Sequence, residues 1–334
     1  MKKKNYKKLI ILSCILIGFG LIAAIIALSL NNFSFNDFGN PLVSKTYDIN
    51  ENFESIDCNM EKSDLNIYLT DGNSYALCLE NKNITFTIEV IDNVLYVKEN
   101  YQWQMLLYND TEVSLFINQD TLDKLNIKTN TGDISIIDKF KIKELVITGT
   151  TNDVELMSIT SESVTIDMTT GDLIMENIET NGITITLSTG DIELNNSKIN
   201  NYAKIKVTTG DVELSKNEIK EGLEVEGTTG DLEIENLNCN DINFKLSTGE
   251  ISLEDVIVNN NMIIETTTGS VVLKHCDGKN IDIETTTGRV EGSILTSKQF
   301  DAESETGRVD VPKTYEGGKC KIRTTTGRIY IIIG

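Results

Sequence analysis

One position in this sequence carries a charged or hydroxyl side chain at every recurrence of a short motif. After each Thr-Gly step, or Thr-Asn once, stand Asp133, Asp153, Asp172, Asp191, Asp211, Asp231, Glu250, Ser270, Arg289, Arg308 and Arg328 in order. If the recurrences stack as strands about 4.8 Å apart, successive carboxylates lie close enough to repel one another. Two kinds of chemistry tolerate that crowding. Each Asp can accept hydrogen bonds from the amides of its own turn. Alternatively the column can offer oxygen ligands to Ca2+, with Asp172, Asp191, Asp211 and Asp231 as the candidate metal ligands. The glycine-rich calcium repeat and any Asp-x-Asp-x-Asp loop are missing, so turn capping is preferred and no cofactor is expected. Toward the C-terminus the acid gives way to arginine. Arg289, Arg308 and Arg328, with Tyr330 and Ile332, are therefore the candidate partner-binding residues, either for an anionic partner or beside carboxylates such as Glu284, Glu303 and Glu305.

Catalysis finds little to work with. His275 is the sole histidine, so a Ser-His or Cys-His nucleophile can be built only there, and in an extended segment its neighbour Cys276 points the other way. Carboxylate pairs are plentiful in so acidic a chain, but no break in the repeat builds a cleft around one. The chain reads as no enzyme. Thr precedes the corner residue in every repeat, and parity with the apolar positions predicts that it faces inward as a hydroxyl ladder. That orientation weakens an ice-binding reading of Thr266/Thr268, Thr285/Thr287 and Thr324/Thr326, because such a surface must face water.

What must position these residues is the repeat itself. Its glycines are Gly132, Gly171, Gly190, Gly210, Gly230, Gly249, Gly269, Gly288, Gly307 and Gly327, and Asn152, which tolerates positive φ, fills the vacant slot. The step is 19 or 20 residues throughout, the signature of a solenoid whose coils bury apolar surface only against their neighbours. Five residues before the glycine the column runs Ile127, Ile147, Ile166, Ile185, Ile205, Val225, Phe244, Ile264, Ile283, Ala302 and Ile322. Two after it stand Ile134, Val154, Leu173, Ile192, Val212 and their successors, again all apolar. Alternation with polar residues and the β-branched bias indicate one strand into each turn and another out of it. A third anchor at Ile159, Ile178, Ile199, Ile219 and Leu237 drifts by two residues. The expected fold is an all-β parallel solenoid, right-handed by the crossover rule, of eleven coils spanning about 50 Å. Only Pro41 and Pro312 occur in the chain, which suits uninterrupted ladders.

Lys2, Lys3, Lys4, Lys7 and Lys8 precede an uncharged apolar stretch at residues 9–30, long enough to cross a bilayer. The positive-inside bias places residues 1–8 in the cytoplasm and the bulk of the chain outside a single-pass membrane helix. A cleaved signal peptide is the other reading, and Ser13-Cys14 sits too near the lysines and too deep in the apolar run for a lipoprotein site. Residues 31–44 form a juxtamembrane spacer. Residues 45–130 hold strand-like runs without the strict repeat, an N-terminal cap in which Ser63-Asp64-Leu65-Asn66-Ile67 is a degenerate motif, and residues 131–334 form the regular array. Formal net charge is −21, about −26 outside the membrane once those five lysines are set aside, which argues against nucleic acid as a partner. Cys58, Cys78, Cys239, Cys276 and Cys320 share no metal spacing and read as small buried side chains, with a Cys58–Cys78 disulfide as the alternative.

The chain resembles the bacterial putative-adhesin family, the LiaG-like domains of unknown function. The likeness rests on the N-terminal span, the irregular strands from Phe53-Glu54-Ser55-Ile56 to Ser114-Leu115-Phe116-Ile117, and the Thr-Gly-Asp array opened by Leu125-Asn126-Ile127-Lys128-Thr129-Asn130-Thr131-Gly132-Asp133-Ile134. It covers roughly residues 45–334 and implies a β-helical surface domain without established enzyme activity. The long array and the terminal arginines depart from the shorter versions. The expected function is a membrane-anchored envelope module that binds a cell-wall polymer or envelope protein. The alternative is an accessory sensor or regulator of envelope stress, acting through another membrane protein. Because the sequence stops on Arg328-Ile329-Tyr330-Ile331-Ile332-Ile333-Gly334, that strand is expected to be an open edge and a homo-oligomer contact.

Overall fold

The computed structural model describes residues 41–102 and 111–334. The apolar stretch at residues 9–30, and with it the expected membrane helix, lies outside them, as does most of the spacer. Among the described residues no helix is long and apolar enough to cross a membrane. They form strands only. Each coil sends one strand into the glycine corner and another out of it, as Ile159–Thr170 and Leu173–Glu176 do around Gly171. Successive coils pair in parallel with apolar residues in register: Ile147 opposite Ile166, Ile166 opposite Ile185, Ile185 opposite Ile205, and onward to Ile264 opposite Ile283. These columns meet inside the coil as one core, because neither strand alone can cover its apolar face.

The third anchor does not drift. Phe140, Ile159, Ile178, Leu237, Val256 and Cys276 share one inward column, while Ile199 and Ile219 belong to the next inward position, with Cys239 and Val258. Between Ile178 and Leu237 the first column is filled by Ser197 and Asn217, both buried. Their polarity is satisfied within the stack. The Ser197 amide donates to Asn217 Oδ1 at 2.9 Å, Asn217 Nδ2 donates to the Leu194 carbonyl at 2.7 Å, and the Ile178 amide donates to Ser197 Oγ at 3.0 Å. Buried polar residues thus broke an apolar pattern without breaking the coil.

The glycine corner explains the repeat. A Cβ on Gly210 would lie 1.8 Å from the Gly190 carbonyl oxygen, and φ there is +144°. Gly288 shows no positive φ, yet its Cβ would still lie 1.9 Å from the Gly269 oxygen. Close backbone approach is therefore the constraint common to both, and left-handed backbone is added only in part of the column. Asn152 meets the same constraint differently. It is absent from the positive-φ residues, and its buried side chain folds inward, donating to the Gly132 carbonyl at 2.7 Å and occupying the space that a side chain at position 149 would need. The expectation of positive φ at Asn152 is thus corrected. So is the orientation of the threonines before the corner, which face water throughout; the inward residue lies three before the glycine. Two consecutive outward residues at the corner defeat the parity rule. Each Thr-x-Thr pair consequently straddles the corner, with Thr266, Thr285 and Thr324 buried and Thr268, Thr287 and Thr326 exposed.

At the N-terminal end the degenerate motif is a true coil. Ser55–Met60 and Asp64–Leu69 stack on Thr121–Thr131 and Ile134–Ile136, and Ser63 faces Gly132. Outside that coil lies one formed later in the chain, Val94–Tyr101 with Glu112–Ile117. Antiparallel strands Ile84–Ile91, Tyr75–Glu80 and Val43–Asp48 close it off. Buried Glu99 carries its outer corner, with Oε2 accepting the amides of Glu61, Lys62 and Ser63 at 2.9, 3.0 and 3.1 Å. All five described cysteines are buried free thiols, so the Cys58–Cys78 bridge is not formed.

The C-terminal end narrows the expected open edge to Ile331–Ile333. Lys319–Thr326 pairs with Val271–Thr287 through Ile283 opposite Ile322 on one side, and with Gln299–Ser304 through Ala302 opposite Ile322 on the other. Ile329–Ile333 pairs along its length with Val290–Ile294, while on the other side only Ile329 and Tyr330 meet Val309–Asp310. The chain skips one slot, lays the Gly307 coil outermost, returns through residues 311–318, and fills the slot with its last coil. The outer edge is Gln299–Ser304, which carries Asp301 and Glu303, charges of a kind that discourage edge pairing. Hydrogen exchange read by mass spectrometry is expected to show stronger amide protection in Lys319–Thr326 than in Gln299–Ser304. Equal or reversed protection would contradict this strand order.

Candidate functional site

Two outward surfaces flank the glycine corner. On the strand leaving it lies the acidic column, held by a hydrogen-bond relay between coils. The Asp133 amide donates to Asp64 Oδ1 at 2.8 Å, Asp153 to Asp133 at 2.9 Å, Asp172 to Asp153 at 2.8 Å and Asp191 to Asp172 at 2.9 Å. The relay continues through Asp211 and Asp231 to Glu250, whose amide meets Asp231 Oδ1 at 2.7 Å. The carboxylates therefore cap the next coil's amide, where capping of their own turn was expected. The reason is local. The glycine amide and the amide two residues after it both reach carbonyls of the following coil, as Gly171 does to Thr189 and Leu173 to Asp191. The intervening Asp amide points back, where only the preceding carboxylate can receive it. One oxygen of each candidate metal ligand, Asp172, Asp191, Asp211 and Asp231, is thus committed to backbone, and among the described residues no group of three or more His, Cys, Asp or Glu is arranged to hold a metal ion.

Beside this column Glu193, Glu213 and Glu233 form a second acidic row, paired across the ladder. Partial burial, then Glu193, Glu233, Asp211 and Asp191, push the Glu213 carboxyl above its ordinary range. With the folded-state value raised, the native state holds more protons, so stability falls as pH rises from the ordinary carboxylate range through the raised value. Glu213→Gln should raise stability at neutral pH by about 0.5 kcal/mol, less at high salt, and lose its advantage in acid, as followed by urea unfolding across pH. In the relay itself, Asp211→Ala should cost roughly 1 kcal/mol by stranding the Asp231 amide. Asp211→Asn, which keeps the acceptor, should cost little by the same measurement.

Where the column turns basic, the strand exchange sets the order Arg289, Arg328, Arg308. Arg289 pairs with Glu291 at 3.1 Å and Arg308 with Asp310 at 3.1 Å, each two residues ahead on its own strand. Arg328 stacks on the Tyr330 ring at 4.3 Å. None of the three pairs with the expected Glu284, Glu303 or Glu305. Ile332 is exposed beyond the short outer strand. His275 occupies a second corner column of left-handed residues, together with Ser158, Asn177, Asn196, Lys216, Asn236 and Asp255, and its Nδ1 lies 3.6 Å from Asp255. Cys276 points inward and donates to the Leu253 carbonyl at 3.2 Å, and burial pushes its thiol up to about 11. These two side chains do not form a nucleophilic pair.

The other surface, on the strand entering the corner, was not singled out by sequence. Two and four residues before the glycine, short hydroxyl side chains alternate with long charged ones. They line an open groove of about 760 Å³ from Lys206 to Arg323 and Glu303. Three ion pairs cross between coils, Lys206 with Glu226 at 3.7 Å, Lys245 with Glu265 at 3.5 Å and Arg323 with Glu303 at 3.6 Å, while Glu284 and Glu305 add negative charge toward the C-terminal end of the groove. Farther back on the same face, Lys204 meets Glu224 at 3.0 Å and Tyr202 stands exposed. The alternation of Lys and Glu at one repeat position was the available signal, and it reads as an ordinary solvated face until the coils are stacked.

The family model described as Toastrack DUF4097 matches residues 48–238 and 214–334. No functionally curated protein matches. Among solved structures, one described as a putative lipid binding protein from Parabacteroides distasonis ATCC 8503 is 16% identical, covering 77% of this chain and 97% of that one with TM-score 0.44. One described as a putative adhesin from Parabacteroides merdae ATCC 43184 is 12% identical, covering 88% and 98% with TM-score 0.39.

Proposed function

Since the chain belongs to the Toastrack DUF4097 family, we propose that it is a non-catalytic binding module of the cell envelope that lays an extended polymer along its outer face. The observation that carries this reading is the groove entering the glycine corner. It crosses seven stacked coils, about 30 Å at the spacing of paired strands, and sets a short hydroxyl beside a long charged side chain in six of them. A surface with that period suits a ligand that also repeats. Its hydroxyls and cross-coil ion pairs offer donors and acceptors with charges of both signs, in a protein whose other strand face is strongly acidic. In this reading the apolar stretch at residues 9–30 tethers the rod to the membrane, with the basic residues 1–8 on the cytoplasmic side. The rigidity of the solenoid helps, because a groove already formed needs no ordering when it binds.

Thermal melts of the full-length protein with purified cell-wall polymer, against a charge-matched unrelated polymer, test the proposal. A concentration-dependent rise in Tm with the wall polymer alone, reduced in Lys206→Ala/Lys245→Ala, is the expected outcome. Equal shifts with both polymers, or none with either, would remove it.

A further inference from the structure

Eight residues before the glycine, the outward column of the entering strands reads Ser163, Gly182, Tyr202, Gly222 and Asp241. Glycine within a strand costs roughly 0.5–1 kcal/mol and leaves a gap on the sheet face. Here two glycines flank the one large aromatic. Neither has a positive φ, so the backbone does not demand them.

The two gaps are used differently. A Cβ on Gly222 would lie 2.6 Å from the Tyr202 ring, so the ring rests on Gly222 and covers it. That contact alone would be the familiar covering of a strand glycine by a neighbouring aromatic. The Gly182 side is not covered. The nearest atom to a Cβ there is the Tyr202 carbonyl oxygen, at 3.7 Å, and the space above opens into a groove of about 420 Å³. Tyr202 itself is 63% exposed. The ring therefore meets Gly222 with its Cδ1–Cε1 edge and stands open beside a floor made by Gly182. Around it stand Thr165, Thr184, Asn201 and the Lys204–Glu224 pair.

The geometry points to a saccharide subsite, in which Tyr202 stacks on the C–H face of a neutral pyranose ring seated over Gly182. Hydroxyls at the ring edge would meet Thr165, Thr184, Asn201 and the Lys204–Glu224 pair. An aromatic face with a few fixed polar groups around a groove of this size suits such a ligand. The local charges cancel, which selects against a polyanion in a chain of net charge −21. The subsite lies on the same strand face as the longer groove and meets it at Lys204 and Lys206. It thus rests on the reading of that face as a polymer-binding surface and names the polymer as a glycan.

Isothermal titration of the full-length protein with two neutral tetrasaccharides, a β-1,4-linked N-acetylglucosamine tetramer and an α-1,4-linked glucose tetramer, is the test. Saturable binding of at least one is expected, weakened tenfold or more by Tyr202→Ala and by Gly182→Val. The second substitution leaves Tyr202 in place, starts from a Cβ position with no neighbour closer than 3.7 Å and suits a strand, so it is expected to fill the groove while the melting temperature holds. Binding of neither sugar, or binding unchanged in both variants, overturns the subsite. Wall-polymer binding that is insensitive to both variants would also sink it while leaving the groove proposal standing. Tetrasaccharide binding without any polymer shift would do the reverse.

Discussion

Everything in this rod follows from one peptide unit per coil that faces the wrong way. Two of the three amides around the glycine corner reach forward to the next coil, and the one between them reaches back. A backward amide in a parallel ladder has no carbonyl waiting, so a side-chain oxygen must be set at that spot, one coil earlier. Asp reaches it with its Oδ1. The same corner brings glycine against the preceding glycine's carbonyl, which excludes any Cβ. Together these requirements account for the Gly-Asp sequence as far as Asp231, while the coils carrying Ser270, Arg289, Arg308 and Arg328 keep the glycine contact without the carboxylate relay. They also explain why the acidic column tolerates its own repulsion: each carboxylate accepts an amide of the neighbouring coil through one oxygen and leaves the other to water.

Much of the architecture was legible because the corner imposes residue types. The apolar columns at five before and two after the glycine appear in the structure as in-register ladders, and Ser63-Asp64 proved to be a corner despite having no glycine. Three things were not legible. The orientation of the threonines depended on two consecutive outward residues, which no alternation rule anticipates. The buried Ser197 and Asn217 imitated a drift, because polarity hides a residue's place in the core. The interleaved C-terminus left almost no trace, since the Gly288, Gly307 and Gly327 spacings are regular. Only Ala302, the smallest member of its column, and the Pro312 and Gly317-Gly318 connection hinted that the Gly307 coil is a periphery. The outer face was illegible for another reason. Its chemistry exists only between coils, where Lys206 finds Glu226 and Tyr202 finds Gly222, and neither pairing is adjacent in sequence.

The two faces also divide the electrostatic labour. The leaving strands concentrate negative charge at Asp191, Glu193, Asp211, Glu213, Asp231 and Glu233, which favours solubility and keeps copies apart. The entering strands carry charges of both signs and join several of them in pairs across coils. A chain can therefore be very acidic overall and still present a hydroxyl-rich strip of mixed charge.

At both ends of the rod, sequence order and stacking order disagree. The coil at residues 55–69 lies inside one made from residues 94–117, and most of the last coil, through residue 330, lies inside the coil that precedes it. A simple stack pulled from its end would peel one coil at a time, like a zipper. Here Lys319–Thr326 is bonded on both flanks, so its ladder bonds must shear together before that coil opens. The interleaving holds that strand, and the coil at residues 55–69, behind strands from elsewhere in the chain, so neither can peel first.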